Sequence, residues 1–549
     1  MQRLIVVCVV LTLVVLDCVA AIQVTTSLGE ILGTTLKSRL GADFYAFRGI
    51  RYAQPPIGEL RFQNPKPYPS WKPNILDATQ DGPMCPQVTD NITDASEDCL
   101  RLNVYSKELV GAKKPVLVYL HPGGFYSVSG QSKNYAGPQH LMDRDIVLVT
   151  LNYRLGTLGF LATGSAEAPG NAGLKDQVEA LRWVRDHISD FGGDPNSVTL
   201  LGYSAGSFSI GLHMMSPMSK GLFHRGIMMS DSPLAQFGYE NKQKRLSDRQ
   251  ADLLNCPQEP ETELVKCLKK KSMLDFVNTE AQMFDLNWNP IINWMPVIED
   301  DFGQERFLVE DPFETIQSEN LYTVPLIIGI TEYEFIGGAY NLLNNETARN
   351  WLNEDFEKYA PITLMYERNT TRSKNITHTL HSKYLGNSTL TLPESLDPFG
   401  KLYSDGITIF AYNRFLDLMS RLTPVYTYLF TYKGRYSHFL YNGEVYGAVH
   451  HDELLYLLRV PGMTPLFTQS DPENVVIENL TRMWTEFAKK GDPNNESDQY
   501  LKNLTWPLYS RDKKPYLVIG KDLVVSEGGI YTERYQIWDE LFPVPKTFN

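Results

Sequence analysis

Val198-Thr-Leu-Leu-Gly-Tyr-Ser-Ala-Gly-Ser207 is an apolar, β-prone run that stops abruptly on Gly202-Tyr203-Ser204-Ala205-Gly206. It reads as a strand turning sharply into a helix, and G-x-S-x-G at that junction carries its serine to the tip of the turn. The glycines answer a steric demand, because backbone folded back so tightly leaves no room for a Cβ and holds the serine in a strained conformation. Ser204 is therefore the candidate nucleophile, exposed above a sheet at a helix N-terminus.

The segments upstream supply the sheet. Pro115-Val-Leu-Val-Tyr-Leu120 and Ile146-Val-Leu-Val-Thr-Leu-Asn-Tyr-Arg154 contain continuous apolar runs of strand length, the signature of strands buried on both faces of a mostly parallel sheet. Between the second run and the serine strand, apolar residues at 174, 178, 181, 184 and 188 recur with helical period until Gly192-Gly-Asp-Pro195. Two strands, a helix and a third strand thus precede Ser204 in doubly wound order. The first of these strands delivers His121-Pro-Gly-Gly-Phe125, whose glycine pair lets backbone N–H groups approach a developing negative charge unobstructed. The fold class expected is α/β, a large central, mostly parallel sheet flanked by helices and carrying insertions.

At the start, Gln2-Arg3 precedes an apolar run from Leu4 to Leu16 and small residues at Cys18-Val-Ala-Ala21. That pattern reads as a secretory signal peptide over residues 1–20, too short for a spanning helix, followed by one domain over 21–549. No Pro/Ser/Gly-rich linker or internal repeat divides the 549 residues. The C-terminal Phe542-Pro-Val-Pro-Lys-Thr-Phe-Asn549 resembles neither a GPI signal nor an ER-retention tetrapeptide, so no membrane anchor is expected and the product is expected to be secreted and extracellular. Cys85, Cys99, Cys256 and Cys267 fall into two close pairs; of three possible connectivities, nearest-neighbour disulfides suit an oxidising compartment, and zinc-ligand spacing is lacking. N-x-[ST] sequons at Asn91, Asn345, Asn369, Asn375, Asn387, Asn479, Asn495 and Asn503 each mark an expected surface glycosylation position, and the three between 369 and 387 suggest an exposed excursion. A net charge of −13 without a basic block excludes nucleic acid as a natural partner.

Glu97-Asp-Cys-Leu, His121-Pro-Gly-Gly-Phe, Asn152-Tyr-Arg, Asp176-Gln, Phe191-Gly-Gly-Asp-Pro and Gly202-Tyr-Ser-Ala-Gly together resemble the type-B carboxylesterase/cholinesterase family of the α/β-hydrolase fold, a similarity running from about residue 23 to Trp538. The resemblance implies a Ser-Glu-His triad in that chain order. The family acid lies five residues after the glycine closing a buried strand; here Pro325-Leu-Ile-Ile-Gly329 places Glu334 there, with Glu332 as competitor. Of the histidines that follow, His378, His381, His438, His450 and His451, the family's G-x-x-H pattern falls on His450 in Gly447-Ala-Val-His450, and His451 stands where the family usually has glycine. His121 and His224 precede the acid and are expected to be structural. The resemblance further implies an oxyanion hole from the N–H groups of Gly123, Gly124 and Ala205, triad support from Ser230 beside an unusual Asp231, and structural ion pairs Arg61–Glu97 and Arg154–Asp176.

Three functions remain in view. The first is a secreted serine carboxylic-ester hydrolase that cleaves neutral, fairly apolar small-molecule esters through an acyl-enzyme, without metal or cofactor. The second is a cholinesterase or hormone-ester esterase. The cholinesterase branch carries a cation-binding tryptophan between the first cysteine pair, and Pro86-Gln-Val-Thr-Asp-Asn-Ile-Thr-Asp-Ala-Ser-Glu-Asp98 contains no aromatic residue. The third is a silent or slow-turnover ester-binding or adhesion relative, whose usual mark, a lost triad residue, is absent here.

Overall fold

The computed structural model describes residues 22–89, 91–109, 111–386 and 388–544. The expected signal peptide and the sequon asparagine Asn387 lie outside them. A 13-stranded sheet organises the described chain. In spatial order its strands are Ile22–Thr26, Gly29–Lys37, Asp43–Arg51, Arg101–Ser106, Val147–Leu151, Lys114–Leu120, Gly193–Tyr203, Arg225–Met229, Leu326–Thr331, Val425–Phe430, Tyr516–Ile519 and Leu523–Ser526, with Ile75–Asp77 pairing onto Gly29–Lys37 off this path. From Val147–Leu151 to Tyr516–Ile519 every pairing is parallel; the edges are antiparallel, except that Ile75–Asp77 pairs parallel onto Gly29–Lys37. The expected mostly parallel sheet is what forms.

Its strands are apolar on both faces because both are covered. Val116, Val118 and Leu120 point into one core layer, Leu117 and Tyr119 into the other. The helices Ala172–His187 and Ala205–Met215 fill the first layer with Leu174, Val178, Leu181, Phe208 and Leu212. The helix Asn474–Lys490 covers the second with Ile477, Leu480, Trp484 and Phe487. The serine strand lies in the middle of this sandwich, between Lys114–Leu120 and Arg225–Met229. Among the described residues no helix is long and apolar enough to cross a membrane.

Both nearest-neighbour disulfides are present, Cys85–Cys99 and Cys256–Cys267, with Cα separations of 5.0 and 5.7 Å. The implied ion pairs are formed as well. Arg61 grips Glu97 through Nε and Nη2 at 2.8 and 2.5 Å, and Arg154 grips Asp176 through the same two nitrogens at 2.7 Å each.

The sequon reading needs two corrections. The described part of this stretch, 369–386, is no surface excursion: Thr370 caps a helix, Thr371–Leu385, whose Ile376, Leu380 and Leu385 are buried in the main core. The exposed face of this helix carries the sequon Asn375 and masks the apolar face in the sequence. Asn479 is also not at the surface; it is 5% exposed within Asn474–Lys490, so a glycan there is incompatible with the packed helix. Asn91, Asn345, Asn369, Asn375 and Asn503 are exposed, and Asn495 is half-buried.

Candidate active site

The central strand ends at Tyr203 and the helix begins at Ala205, leaving Ser204 alone at the turn with φ 52° and ψ −119°. Two bonds hold it there: its N–H donates to the Met229 carbonyl and its carbonyl accepts from the Phe208 N–H, both at 2.8 Å. The expected steric demand is met at Gly206, where an added Cβ would lie 2.0 Å from the Leu120 carbonyl oxygen. Ser204 is 9% exposed rather than standing free.

Glu334 follows the strand Leu326–Thr331, three residues past its end. Its Oε2 lies 2.5 Å from His450 Nδ1, and its Oε1 accepts from Ser230 Oγ at 2.7 Å and from the Thr331 N–H at 2.8 Å. The backbone repeats the clamp, the His450 N–H donating to the Glu334 carbonyl at 2.8 Å. The His450 ring stacks on Phe335 with centroids 4.0 Å apart and meets the edge of Tyr203 at 5.0 Å. His450 Nε2 is buried and has no hydrogen-bond partner among the described residues. An imidazole held at one nitrogen by a carboxylate and left open at the other can take and return a proton.

The competing candidates go elsewhere. Glu332 lines a separate cavity of about 180 Å³ with Asp397, Lys401 and Arg534. His378 pairs with Glu357 at the surface, His381 packs on Phe356, and His438 faces Asp452 at 3.2 Å. His224 accepts from the Val198 N–H, and His121 stacks on Tyr153 with centroids 4.2 Å apart. Burial pushes His121 down to about 4, which keeps it neutral.

The loop after Lys114–Leu120 supplies the glycine pair. Gly123 has φ 112°, and a Cβ there would stand 2.0 Å from the Ser127 carbonyl oxygen. The N–H groups of Gly123, Gly124 and Ala205 donate to no acceptor among the described residues. A Cβ on Gly124 would meet the Tyr126 ring at 2.6 Å, and one on Gly338 would meet Tyr403 and then Phe335. Tyr126, Gly338 and Tyr403 help line a cavity of about 590 Å³ that has no charged side chain in its wall. The cavity thus reaches the glycine loop at Tyr126.

Both residues that depart from the family pattern have a defined setting. His451 takes φ 82° without being glycine; its N–H donates to the Tyr203 hydroxyl at 2.8 Å, and its ring meets Tyr203, His438 and His450. Burial, reinforced by the two neighbouring histidines, pushes it well below the usual imidazole range, so it stays neutral. Asp231 is buried, accepts the Ser232 N–H at 2.7 Å and is raised well above the usual carboxyl range by burial. Sequence reasoning missed Phe335 and Glu453. An acidic residue just before Leu454-Leu-Tyr-Leu-Leu458 was the available signal for the second.

Glu280 lies behind the oxyanion loop. Its Oε1 accepts from Trp294 Nε1 at 3.2 Å, its Oε2 lies 2.9 Å from the Cβ position of Gly156, and the Gly156 N–H donates to the Phe125 carbonyl. Burial raises its carboxyl from 4.5 to about 7. The folded state therefore binds this proton more tightly than the unfolded chain, so the associated stability is complete below 4.5 and is lost as pH rises through about 7. Glu280→Gln is expected to gain on the parent by about 3 kcal/mol between pH 5 and pH 8. Denaturant midpoints at the two pH values check this, and a pH-independent gap would contradict it.

Comparison with known proteins agrees with this geometry. The carboxylesterase family model matches residues 20–538. Juvenile hormone esterase of Tribolium castaneum is 34% identical over 516 residues, covering 89% of this chain and 86% of that protein. A carboxylic ester hydrolase of Bombus ignitus is 33% identical over 510 residues, covering 87% and 89%. Among solved structures, juvenile hormone esterase from Manduca sexta with OTFP covalently attached superposes with a TM-score of 0.83 at 27% identity, covering 96% of this chain and 99% of that one. With its elbow serine, its mostly parallel sheet and a family match along nearly its whole length, the chain belongs to the carboxylesterase family and is a carboxylic ester hydrolase of the α/β-hydrolase fold.

Proposed function

We propose that residues 21–549 form a single secreted domain, released from a signal peptide at residues 1–20, that hydrolyses neutral, fairly apolar esters through an acyl-enzyme. Two observations carry this reading: Ser204 is held in a strained conformation at the strand-to-helix turn, and His450 is clamped by Glu334 at 2.5 Å and open at Nε2. Ser204 Oγ attacks the ester carbonyl carbon while its proton passes to His450 Nε2; Glu334 stabilises the imidazolium, with Ser230 orienting Glu334. The negative charge that develops on the carbonyl oxygen is met by the N–H groups of Gly123, Gly124 and Ala205, each worth about a hundredfold to a thousandfold in turnover. Collapse breaks the bond to the alcohol, which leaves with the proton from His450. Water then attacks the acyl-enzyme, with His450 again the base, and the acid departs.

The uncharged wall of the 590 Å³ cavity supports a neutral substrate, and the two disulfides support an oxidising, extracellular destination. A second, narrower reading is favoured by the relatives themselves: two bear the name juvenile hormone esterase, so a hormone ester is the leading candidate within the neutral class. The test is peptide mapping after treatment with an organophosphonate, which reacts with an activated serine. An adduct on Ser204 that disappears in His450→Ala is the expected result; an unlabelled Ser204 in folded protein would overturn the reading. A panel of juvenile hormone, choline and short alkyl esters then separates the substrate classes by kcat/KM.

A further inference from the structure

Behind the site, four oxygen-to-oxygen contacts run in series from Tyr428 through two buried carboxyls, Glu453 and Glu334. Tyr428 Oη lies 3.1 Å from Glu453 Oε1, Glu453 Oε2 lies 3.0 Å from Tyr203 Oη, Tyr203 Oη lies 2.9 Å from Ser230 Oγ, and Ser230 Oγ lies 2.7 Å from Glu334 Oε1. Each contact at hydrogen-bond distance needs one proton between its oxygens. Tyr428, Tyr203 and Ser230 supply one hydroxyl proton each, and Glu334, as counter-charge to His450, supplies none. The chain is one proton short.

The direction of each bond locates the missing proton. Ser230 must donate to Glu334, so Ser230 Oγ can only accept from Tyr203. Tyr203 has then spent its proton, and its oxygen already accepts the His451 N–H at 2.8 Å. The remaining Glu453–Tyr203 contact is satisfied only when the proton sits on Glu453. Its surroundings agree: Glu453 is fully buried, faces Tyr203, Tyr428 and the Glu334 charge, and forms no ion pair among the described residues. The two hydroxyls and its own backbone N–H would favour a carboxylate there, but it would have no cation among the described residues to offset its desolvation beside the Glu334 charge.

We propose that Glu453 is held as the neutral carboxylic acid and acts as a positioning residue, heading a one-directional chain of hydrogen bonds through Tyr203 and Ser230 that ends on Glu334. This rests on the assignment of Glu334 and His450 made above. The chain hands Glu334 an oriented donor without placing a second negative charge beside it, and it ties the residue before the nucleophile to the residue after the base. His451 completes it, its N–H filling the second lone pair of Tyr203.

Infrared difference spectroscopy at pH 8 tests the proton directly. Subtracting Glu453→Gln from the parent is expected to show a lost protonated-carboxyl carbonyl band; lost carboxylate stretches would overturn the proposal. Tyr428→Phe, which removes the donor to the carbonyl oxygen, is expected to move that band to higher wavenumber without erasing it, and serves if Glu453→Gln does not fold; no movement would overturn the proposal. In kinetics, Glu453→Gln is expected to lower kcat a few-fold with the acid limb of the kcat/KM profile unmoved. Removing an ionised glutamate would instead shift that limb downward by on the order of one pH unit. Organophosphonate labelling of Ser204 in the parent keeps the two readings apart: no adduct sinks the serine mechanism, while an adduct with the wrong infrared signature sinks only the protonated Glu453.

Discussion

Ser204→Ala is expected to lower ester turnover by about a million-fold, with the folded structure unchanged. Nearly all of that loss follows from one atom, since without Oγ no acyl-enzyme forms and the oxyanion loop and cavity are left to act on water alone. His450→Ala is expected to cost a similar factor, and the double variant little more, because the two residues serve one step. The same position reports on strain. At φ 52° and ψ −119° a Cβ is crowded, so Ser204→Gly is expected to be more stable than Ser204→Ala by about 1 kcal/mol while equally inactive. Steady-state assays with any activated ester, together with two denaturation curves, check both halves. Retained turnover in Ser204→Ala would remove the nucleophile assignment, and equal stabilities would remove the strain.

The second large effect is on stability. Arg154→Met is expected to destabilise the protein by roughly 3–5 kcal/mol, because it leaves the fully buried Asp176 charged and uncompensated in the core layer. Asp176 accepts three bonds from Arg154, two from the guanidinium and one from the backbone N–H at 3.0 Å. Only the last survives the substitution. Combining Arg154→Met with Asp176→Asn removes the orphaned charge and keeps that acceptor, so the double variant is expected to recover more than half of the loss. Denaturant midpoints of the parent, both single variants and the double variant close the cycle. A double variant no better than Arg154→Met alone would mean that the guanidinium acts through packing rather than charge.

The sheet and the elbow were legible because their determinants are local. Continuous apolar strands, a helical period and the tight glycines each act within a few residues of where they are read. The triad partners Glu334 and His450 were reachable only through the spacing of a resembling family, since nothing local marks one carboxylate in Gly329-Ile-Thr-Glu-Tyr-Glu334 over the other. The structure separates them by direction: Glu334 turns inward to His450 and Glu332 faces another cavity. The chain from Tyr428 to Glu334 was invisible, since it joins residues from five separate segments and has no period or spacing in the sequence. Asn479 failed for a related reason. A sequon is a tripeptide pattern, whereas burial there is decided by which face of Asn474–Lys490 meets the sheet.

The central position of the serine strand also has a temporal consequence. Tyr203 and Glu453 are 250 positions apart and Glu334 and His450 are 116 apart, so the ribosome has long finished the strained turn when the base emerges. At roughly 5–20 residues per second, the nascent chain carries an elbow without its proton acceptor for on the order of ten to fifty seconds. Throughout that interval it is catalytically inert, and a chain cut anywhere before His450 stays so.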